Sequence, residues 1–245
     1  MPIIDDLISQ IESHPVKEIA MGVLCTAVQS GSCGLSSTLR YGIDPHSPIR
    51  EAGKLKVKSS IELARYLYSD NLLEASIGMA ALNSALPKEE FKFTTINATN
   101  IILKKGAGKC VAVIGHFPFV EQRGNPFKKL MVFEKFPRDG DLREEDIPIY
   151  LPEADVVAIT ATSIPNHSFK NIMEHVSPYS YRIMLGPTTP ISTVLFDYGI
   201  DTLGGSIVRD ELSVISQVKE GISFKNMVGI EQVILSKEND IRNTR

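Results

Sequence analysis

Apolar residues at Ile3, Ile4, Leu7, Ile8 and Ile11 recur with helical period, so the chain is expected to open on an amphipathic helix. A strand follows over Glu18–Gln29, with Ala20, Gly22, Leu24, Thr26 and Val28 on one face. Ser30-Gly31-Ser32 is a turn cluster, and Leu35–Tyr41 is the returning strand. Pro45, Pro48 and Gly53 mark a loop. Ser59-Ser60-Ile61-Glu62 is a capping-box pattern that opens a helix with Ile61, Ala64 and Leu67 or Tyr68 inward. A second helix runs from Leu72 to Leu86, capped by Asp70 or Asn71 and stopped by Pro87.

The rhythm changes near Ala98. A helix ends at Lys104-Lys105-Gly106, basic residues and then glycine, as helix ends prefer. Short, unalternated apolar runs come next: 110–115, 130–136, 155–162, 181–185 and 201–207. Such runs suit parallel strands buried on both faces. Phe169, Ile172, Met173 and Val176 form a helical stripe between two of them. A further helix is expected after Thr188-Thr189-Pro190, closing at Gly199. The connection from His116 to Lys129 holds Pro118, Gly124 and Pro126 and predicts an irregular crossover. The fold class is therefore α/β: a Rossmann-like, mostly parallel sheet over residues 91–245, preceded by a smaller α+β domain over residues 1–90. The polar tail from Lys237 to Arg245 reads as frayed.

Composition narrows the class. The chain has 245 residues, 43% hydrophobic and 22% charged, with a net charge of −3. That is ordinary for a globular protein, and with no basic block nucleic acid is not an expected partner. No apolar run approaches the roughly 20 residues of a membrane span. Asp5 and Asp6 stand where a secretory leader would carry basic residues. The cysteines, Cys25, Cys33 and Cys110, are odd in number and sparse. Reduced thiols in a cytoplasm are the simpler reading.

Chemistry is expected where strands end. Gly106-Ala-Gly108-Lys109 is not a phosphate loop: the spacing is short, and the glycines precede a strand. Gly115 and His116 end the first strand of the sheet, beyond which ligands bind in open α/β folds. The dinucleotide fingerprint of glycines is absent. Glu134 lies near the end of the second strand, about where an acid meets a ribose hydroxyl in such folds, and is equally a solvent-facing acid. Asp139-Gly140-Asp141 reads first as a turn. Thr160, Thr162, Ser163 and Asn166 follow the third strand, more hydroxyl and amide groups than capping alone uses. Gly186, Thr188 and Thr189 follow the fourth, and the amides of Thr188 and Thr189, opening a helix, would cradle an anion. Gly204-Gly205 would permit close approach, with plain turn geometry as the alternative. Histidines 14, 46, 116, 167 and 175 show no metal-binding spacing, and no CxxC occurs. Cys25 and Cys33 do not sit opposite each other if the turn is centred at Gly31. A looser soft-metal site at a domain cleft stays open, with His116 as its candidate ligand.

The order of these motifs resembles the "putative heavy-metal chelation" family. It runs from Gly115-His116-Phe117-Pro118 through a Glu-bearing second strand to Leu151-Pro152-Glu153-Ala154-Asp155-Val156-Val157. Thr160-Ala-Thr162 with Asn166 follows, then Leu185-Gly186-Pro187-Thr188-Thr189-Pro190, Gly199 and Gly204-Gly205. The likeness covers roughly residues 95–220. The preceding part, with Gly22, Thr26, Ala27, Val28 and Gly34 in its hairpin pattern, is similar to an enolase N-terminal-like domain. The resemblance implies a Rossmann-like domain joined to that domain, with a shared cleft as the site. It implies no enolase chemistry, because the acid-rich barrel is missing.

The leading expectation is a small-ligand or metal-binding protein with a transition or heavy metal ion as the suggested cofactor. His116 would be a ligand or proton carrier, Asn166 and Thr162 hydrogen-bond partners. The rival is a transferase-like enzyme acting on a nucleotide-like substrate, with Glu134 on a ribose. A scaffold with a degenerate pocket is the third reading. Whether a reaction is catalysed and whether the chain forms homo-oligomers are left open.

Overall fold

The computed structural model describes residues 2–42, 48–87, 93–95, 97–121 and 124–237. Helix α1 (Pro2–Ser9) is followed by strands β1 (Glu18–Met21), β2 (Cys25–Gln29) and β3 (Cys33–Ser37). Helices α2 (Ser60–Ala64), α3 (Leu72–Ala85) and α4 (Ala98–Gly106) come next. The second half runs β4 (Cys110–Ile114), β5 (Lys129–Glu134), β6 (Leu142–Arg143), α5 (Ile147–Tyr150), β7 (Val156–Thr160), α6 (Phe169–His175), β8 (Tyr181–Leu185), α7 (Val194–Asp197), β9 (Thr202–Val208), α8 (Glu211–Lys219) and β10 (Ile230–Ser236).

The first three strands form an antiparallel sheet, β1-β2-β3. The single strand expected over 18–29 is two strands, joined by a turn in which the Gly22 amide donates to the Cys25 carbonyl at 2.9 Å. The turn is hidden in the pattern because its residues, Val23 and Leu24, are apolar yet exposed. The two strands also divide their side chains differently from the expected alternation. Ala20, Cys25 and Ala27 face α8, whereas Val28 packs with Leu63 and Ile77 of the other side. Gln29 pairs with Cys33, so the second turn is centred on Gly31 and the two cysteines are out of register, as their spacing indicates. Gly34 is dictated by closeness: a Cβ there would stand 2.2 Å from the Ala80 carbonyl oxygen of α3.

The Ser59 side chain and Glu62 form the expected capping box, and the Asn71 side chain caps α3 by accepting from the Leu73 amide. Helix α4 stops at Gly106 and turns, with the Lys109 amide on the Gly106 carbonyl. The loop around Pro45 and the tail beyond Lys237 lie outside the described residues.

Among the described residues, the second sheet has seven strands in the order β10-β9-β8-β7-β4-β5-β6. All neighbours are parallel except β10, which runs antiparallel to β9. Counted from β4, the order is that of a doubly wound sheet, and the winding reverses between β4 and β7. One face, with Ile114, Phe133, Ile159 and Met184, packs in a core that also holds Ile3, Ile4 and Leu7 of α1 and Met79 and Leu82 of α3. Burying each of those large side chains stabilises by roughly 1.5–3 kcal/mol. The other face, with Val113, Ala158 and Leu185, packs on Ile102 of α4.

Two features of this half differ from the sequence expectation. The helix after Pro190 does not begin there. It is the single turn α7, starting at Val194; the Thr188 side chain instead accepts from the Ser37 amide and the Thr189 amide donates to the Gly186 carbonyl. Gly204 and Gly205 lie inside β9 rather than in a turn. A Cβ on Gly204 would come 2.8 Å from Ala98 Cβ, and one on Gly205 would come 2.7 Å from Ile191 Cδ1. Among its described residues the crossover after β4 is irregular as expected, with a 3-10 turn at Pro118–Glu121.

Candidate functional site

Strands β4, β5, β7 and β8 end side by side, and their exit loops surround a cavity of about 350 Å³. Gly115 and His116 line it from β4, Glu134 from β5, Thr162 and Asn166 from β7, and Gly186 and Thr188 from β8. Thr189, the remaining candidate, is buried beside the cavity and does not line it. Its amide donates to the Gly186 carbonyl at 3.1 Å, so it is already committed to a turn. The volume is in the range of small-molecule pockets, which run from about 300 to 1,000 Å³.

The hairpin half closes the cavity, which local sequence signals did not reveal. The Ser37 amide, at the end of β3, donates to Thr188 Oγ1 at 2.9 Å. The buried Asn83 of α3 donates from Nδ2 to the carbonyls of Leu35, at 2.8 Å, and Thr188, at 3.1 Å. Thr188 therefore ties the two sheets together through both its side chain and its carbonyl. Tyr41 reaches across to Asn166, whose Nδ2 donates to Tyr41 Oη at 2.9 Å. Burial, offset in part by that bond, raises the Tyr41 pKa above its ordinary value. The Asn166 side-chain oxygen accepts from the amide and hydroxyl of Ser168. Asn166 thus has both ends of its amide engaged, one as a cap and one across the cleft. Phe136 packs edge-on against Tyr41 with ring centroids 5.7 Å apart, at the mouth. Lys135 Nζ lies 5.2 Å from the Tyr41 ring centroid and 3.7 Å from a Glu144 carboxylate oxygen.

The strand-end groups are held by short local bonds. Thr160 and Thr162 share a hydroxyl–hydroxyl bond of 2.9 Å. Gly115 and Gly186 adopt φ of +95° and +119°, conformations that a side chain disfavours. The Glu134 carboxylate turns back to accept from the Lys135 amide.

His116 is 15% exposed and sits between two carboxylates. Its Nδ1 is buried without a hydrogen-bond partner, 3.6 Å from Asp141 Oδ2. Its Nε2 lies 3.2 Å from Glu121 Oε1 and 3.1 Å from Arg138 Nη1. A guanidinium only donates, so the Arg138 contact needs a lone pair on Nε2, whereas the Glu121 contact needs a proton there. Arg138 also donates to Glu121 directly, at 2.5 Å. Asp139-Gly140-Asp141 is a turn, as its composition indicates, and the Asp141 carboxylate closes it on the Arg138 amide.

Two family models match the chain, both described as "Putative heavy-metal chelation": one over residues 97–236 and one over residues 4–86. A crystal structure of a protein of unknown function from the DUF364 family of Desulfitobacterium hafniense aligns with a TM-score of 0.80 at 26% identity. It covers 96% of this chain and 97% of that one. A DUF364-family protein of unknown function from Pyrococcus horikoshii aligns with a TM-score of 0.76 at 20% identity, over 96% of this chain and 98% of that one. An uncharacterized protein of Methanocaldococcus jannaschii is 27% identical over 150 residues, 58% of this chain and 58% of that protein.

The described side chains do not fit a metal cage. Among the described residues, no group of three or more His, Cys, Asp or Glu side chains stands close enough together to hold an ion. Burial pushes the Cys25 thiol up to about 11, away from the thiolate that soft metals bind. Cys33 is buried in the hairpin core. Cys110 begins β4, at the strand end opposite the cavity. At His116, a cation at Nε2 would meet the Arg138 guanidinium 3.1 Å away. His46 lies outside the described residues.

Proposed function

Given that the chain belongs to the DUF364 family of putative heavy-metal chelation proteins, we propose that it binds a small organic ligand in the cleft at the carboxyl ends of β4, β5, β7 and β8. The observation that carries this reading is the convergence of four strand-end loops and the β3 exit on one cavity, with Ser37 and Tyr41 from one half facing Thr188 and Asn166 from the other. Such a cleft presents an apolar floor, here Ile114, Phe133 and Ile172, and a few directed polar groups. Asn166 and Thr162 supply hydrogen bonds, and Lys135 and Glu144 supply opposite charges at the rim. His116 is the group that could carry a proton, with Asp141 and Glu121 beside it. Among the described residues, the donors do not assemble a metal cage.

A nucleotide-like substrate is the second reading. It is favoured by Glu134, which lines the cavity at the end of the strand next to β4, where doubly wound folds place a ribose-binding acid.

A thermal-shift panel of nucleotides, S-adenosylmethionine, and soft and borderline metal ions, followed by calorimetric titration, tests both. A ligand at 100 times its dissociation constant stabilises by about 2.7 kcal/mol. Asn166→Ala should weaken the best ligand by about tenfold, the loss of one hydrogen bond of roughly 1.4 kcal/mol. Unchanged affinity in Asn166→Ala would move the site out of this cleft. Equal affinity in His116→Ala would remove the histidine from it. Tight binding of a bare metal ion by the wild-type chain would overturn the organic-ligand reading.

A further inference from the structure

A second cavity, of about 450 Å³, lies beside the exits of β4 and β8 and along β9 and β10. The first cavity takes its floor from Ile114 and Phe133 of one sheet face and from Ile172 of α6, which packs in the same core. The second is lined by Leu185 of the opposite face, by Ala98 of α4 and by Phe117 of the loop after β4, all in the cluster on that side. The two share four residues: Ser37, Phe117, Gly186 and Pro187. They are therefore two compartments divided by one thin wall at the carboxyl edge of the sheet.

One of the shared residues leaves open space beside it. At Gly186 a Cβ would find nothing within 4 Å, so the space beside its Cα is open. This differs from Gly204 and Gly205, where a Cβ would collide with Ala98 and Ile191. Gly186 sits where a chain of atoms could pass from one compartment to the other. Ligands of doubly wound sheets lie over this edge, across the point where the winding reverses.

The second compartment differs in chemistry from the first. Its walls include the rings of Phe117 and Phe224 with Pro118 and Pro187, surfaces on which a planar group stacks. Thr99, Ser223 and Gln232 add hydrogen-bonding groups among them. An aliphatic tail would leave these polar groups unused. A heteroaromatic ring has an apolar face and a polar edge, and matches both.

We infer that the two cavities form one bipartite site for an elongated molecule, with a heteroaromatic ring in the second compartment and a polar or charged tail passing Gly186 into the first. This rests on the reading of the first cavity as a ligand site. It adds the shape and the ring chemistry of the ligand.

The test uses adenosine as the ring probe, methionine as a charged-tail probe and S-adenosylmethionine as the two joined, each at millimolar concentration on the full chain. Isoleucine-methyl NMR separates the compartments, because Ile114 and Ile172 line only the first and Ile234 lines only the second. Adenosine should shift Ile234 and leave Ile172 in place. The joined probe should shift both and bind at least tenfold more tightly than adenosine. Thr99→Trp, which fills the second compartment, should abolish the Ile234 response. Phe224→Ala, which removes a wall without filling it, should weaken adenosine at least threefold if the tryptophan variant misfolds. Adenosine shifting only Ile114 and Ile172, or no Ile234 response to either adenosine-containing probe, would overturn the inference. A joined probe that moves Ile234 alone would break the bridge and count against the first-cavity reading. A joined probe that moves Ile172 alone would leave that reading standing and remove the second compartment.

Discussion

At the residue scale the cysteines separate cleanly. Cys25 and Cys33 are 3% and 1% exposed, on neighbouring strands but out of register, and only Cys110 reaches the surface in part. Burial raises the Cys25 pKa to about 11, so its thiol stays protonated and inert at neutral pH. A thiol-reactive dye should therefore label Cys110 first in the native protein, and Cys25 and Cys33 only on unfolding. Rapid labelling of two or three thiols at pH 7 would show that the hairpin core opens far more readily than this packing implies. The sparse cysteines are consistent in sequence with reduced thiols. Which of them are core and which is reachable depends on α8, whose Val214 and Val218 cover the hairpin from about 180 residues away in sequence.

At the scale of elements, α1 is held by two tyrosines at adjacent residues in its middle. Tyr68 Oη donates to Asp5 and Tyr198 Oη donates to Asp6, each at 2.6 Å. Burial and those carboxylates push both phenols up to about 12. As the pH rises through 10 the unfolded chain ionises these tyrosines while the folded chain keeps its protons. The stabilisation is thus complete below pH 10 and is lost between pH 10 and 12. Denaturant titrations over that range should show a fall in stability that is smaller in the Tyr68→Phe, Tyr198→Phe double variant. An identical fall in both proteins would mean that these bonds do not anchor the helix. The periodic isoleucines of α1 identify the helix by themselves, as do the capping box at Ser59 and the cap at Asn71, because helical period and caps are local. The turn at Val23 and Leu24 escapes such reading, since its exposed apolar residues continue the strand pattern on either side.

At the scale of the whole molecule, the two halves share their cores. Helix α1 and α3 contribute to the same cluster as the parallel sheet, and α8 of the second half covers the first-half hairpin. Neither half can unfold without exposing apolar surface of the other. Calorimetry should therefore show one cooperative transition with equal calorimetric and van't Hoff enthalpies. Two resolved transitions would mean that the shared cluster contributes little to the coupling.

What the linear chain settled by itself is the run of parallel strands between residues 110 and 207, the caps at Ser59 and Asn71 and the strand ends near residues 115, 134, 162 and 186 that border one cavity. Each follows from a local cause: apolar runs too short and unalternated for surface helices, turn and cap residues at fixed offsets, and glycines that need positive φ. Tertiary structure alone decided that Tyr41 and Ser37 close the cleft, that Thr188 is spent joining two sheets, and that β10 pairs antiparallel at the edge. It also set Arg138 against His116. These are contacts between residues from about 20 to about 150 positions apart, and no periodicity or spacing encodes which distant group a polar side chain will meet. They depend on how the sheets pack, which is a property of the assembled cores.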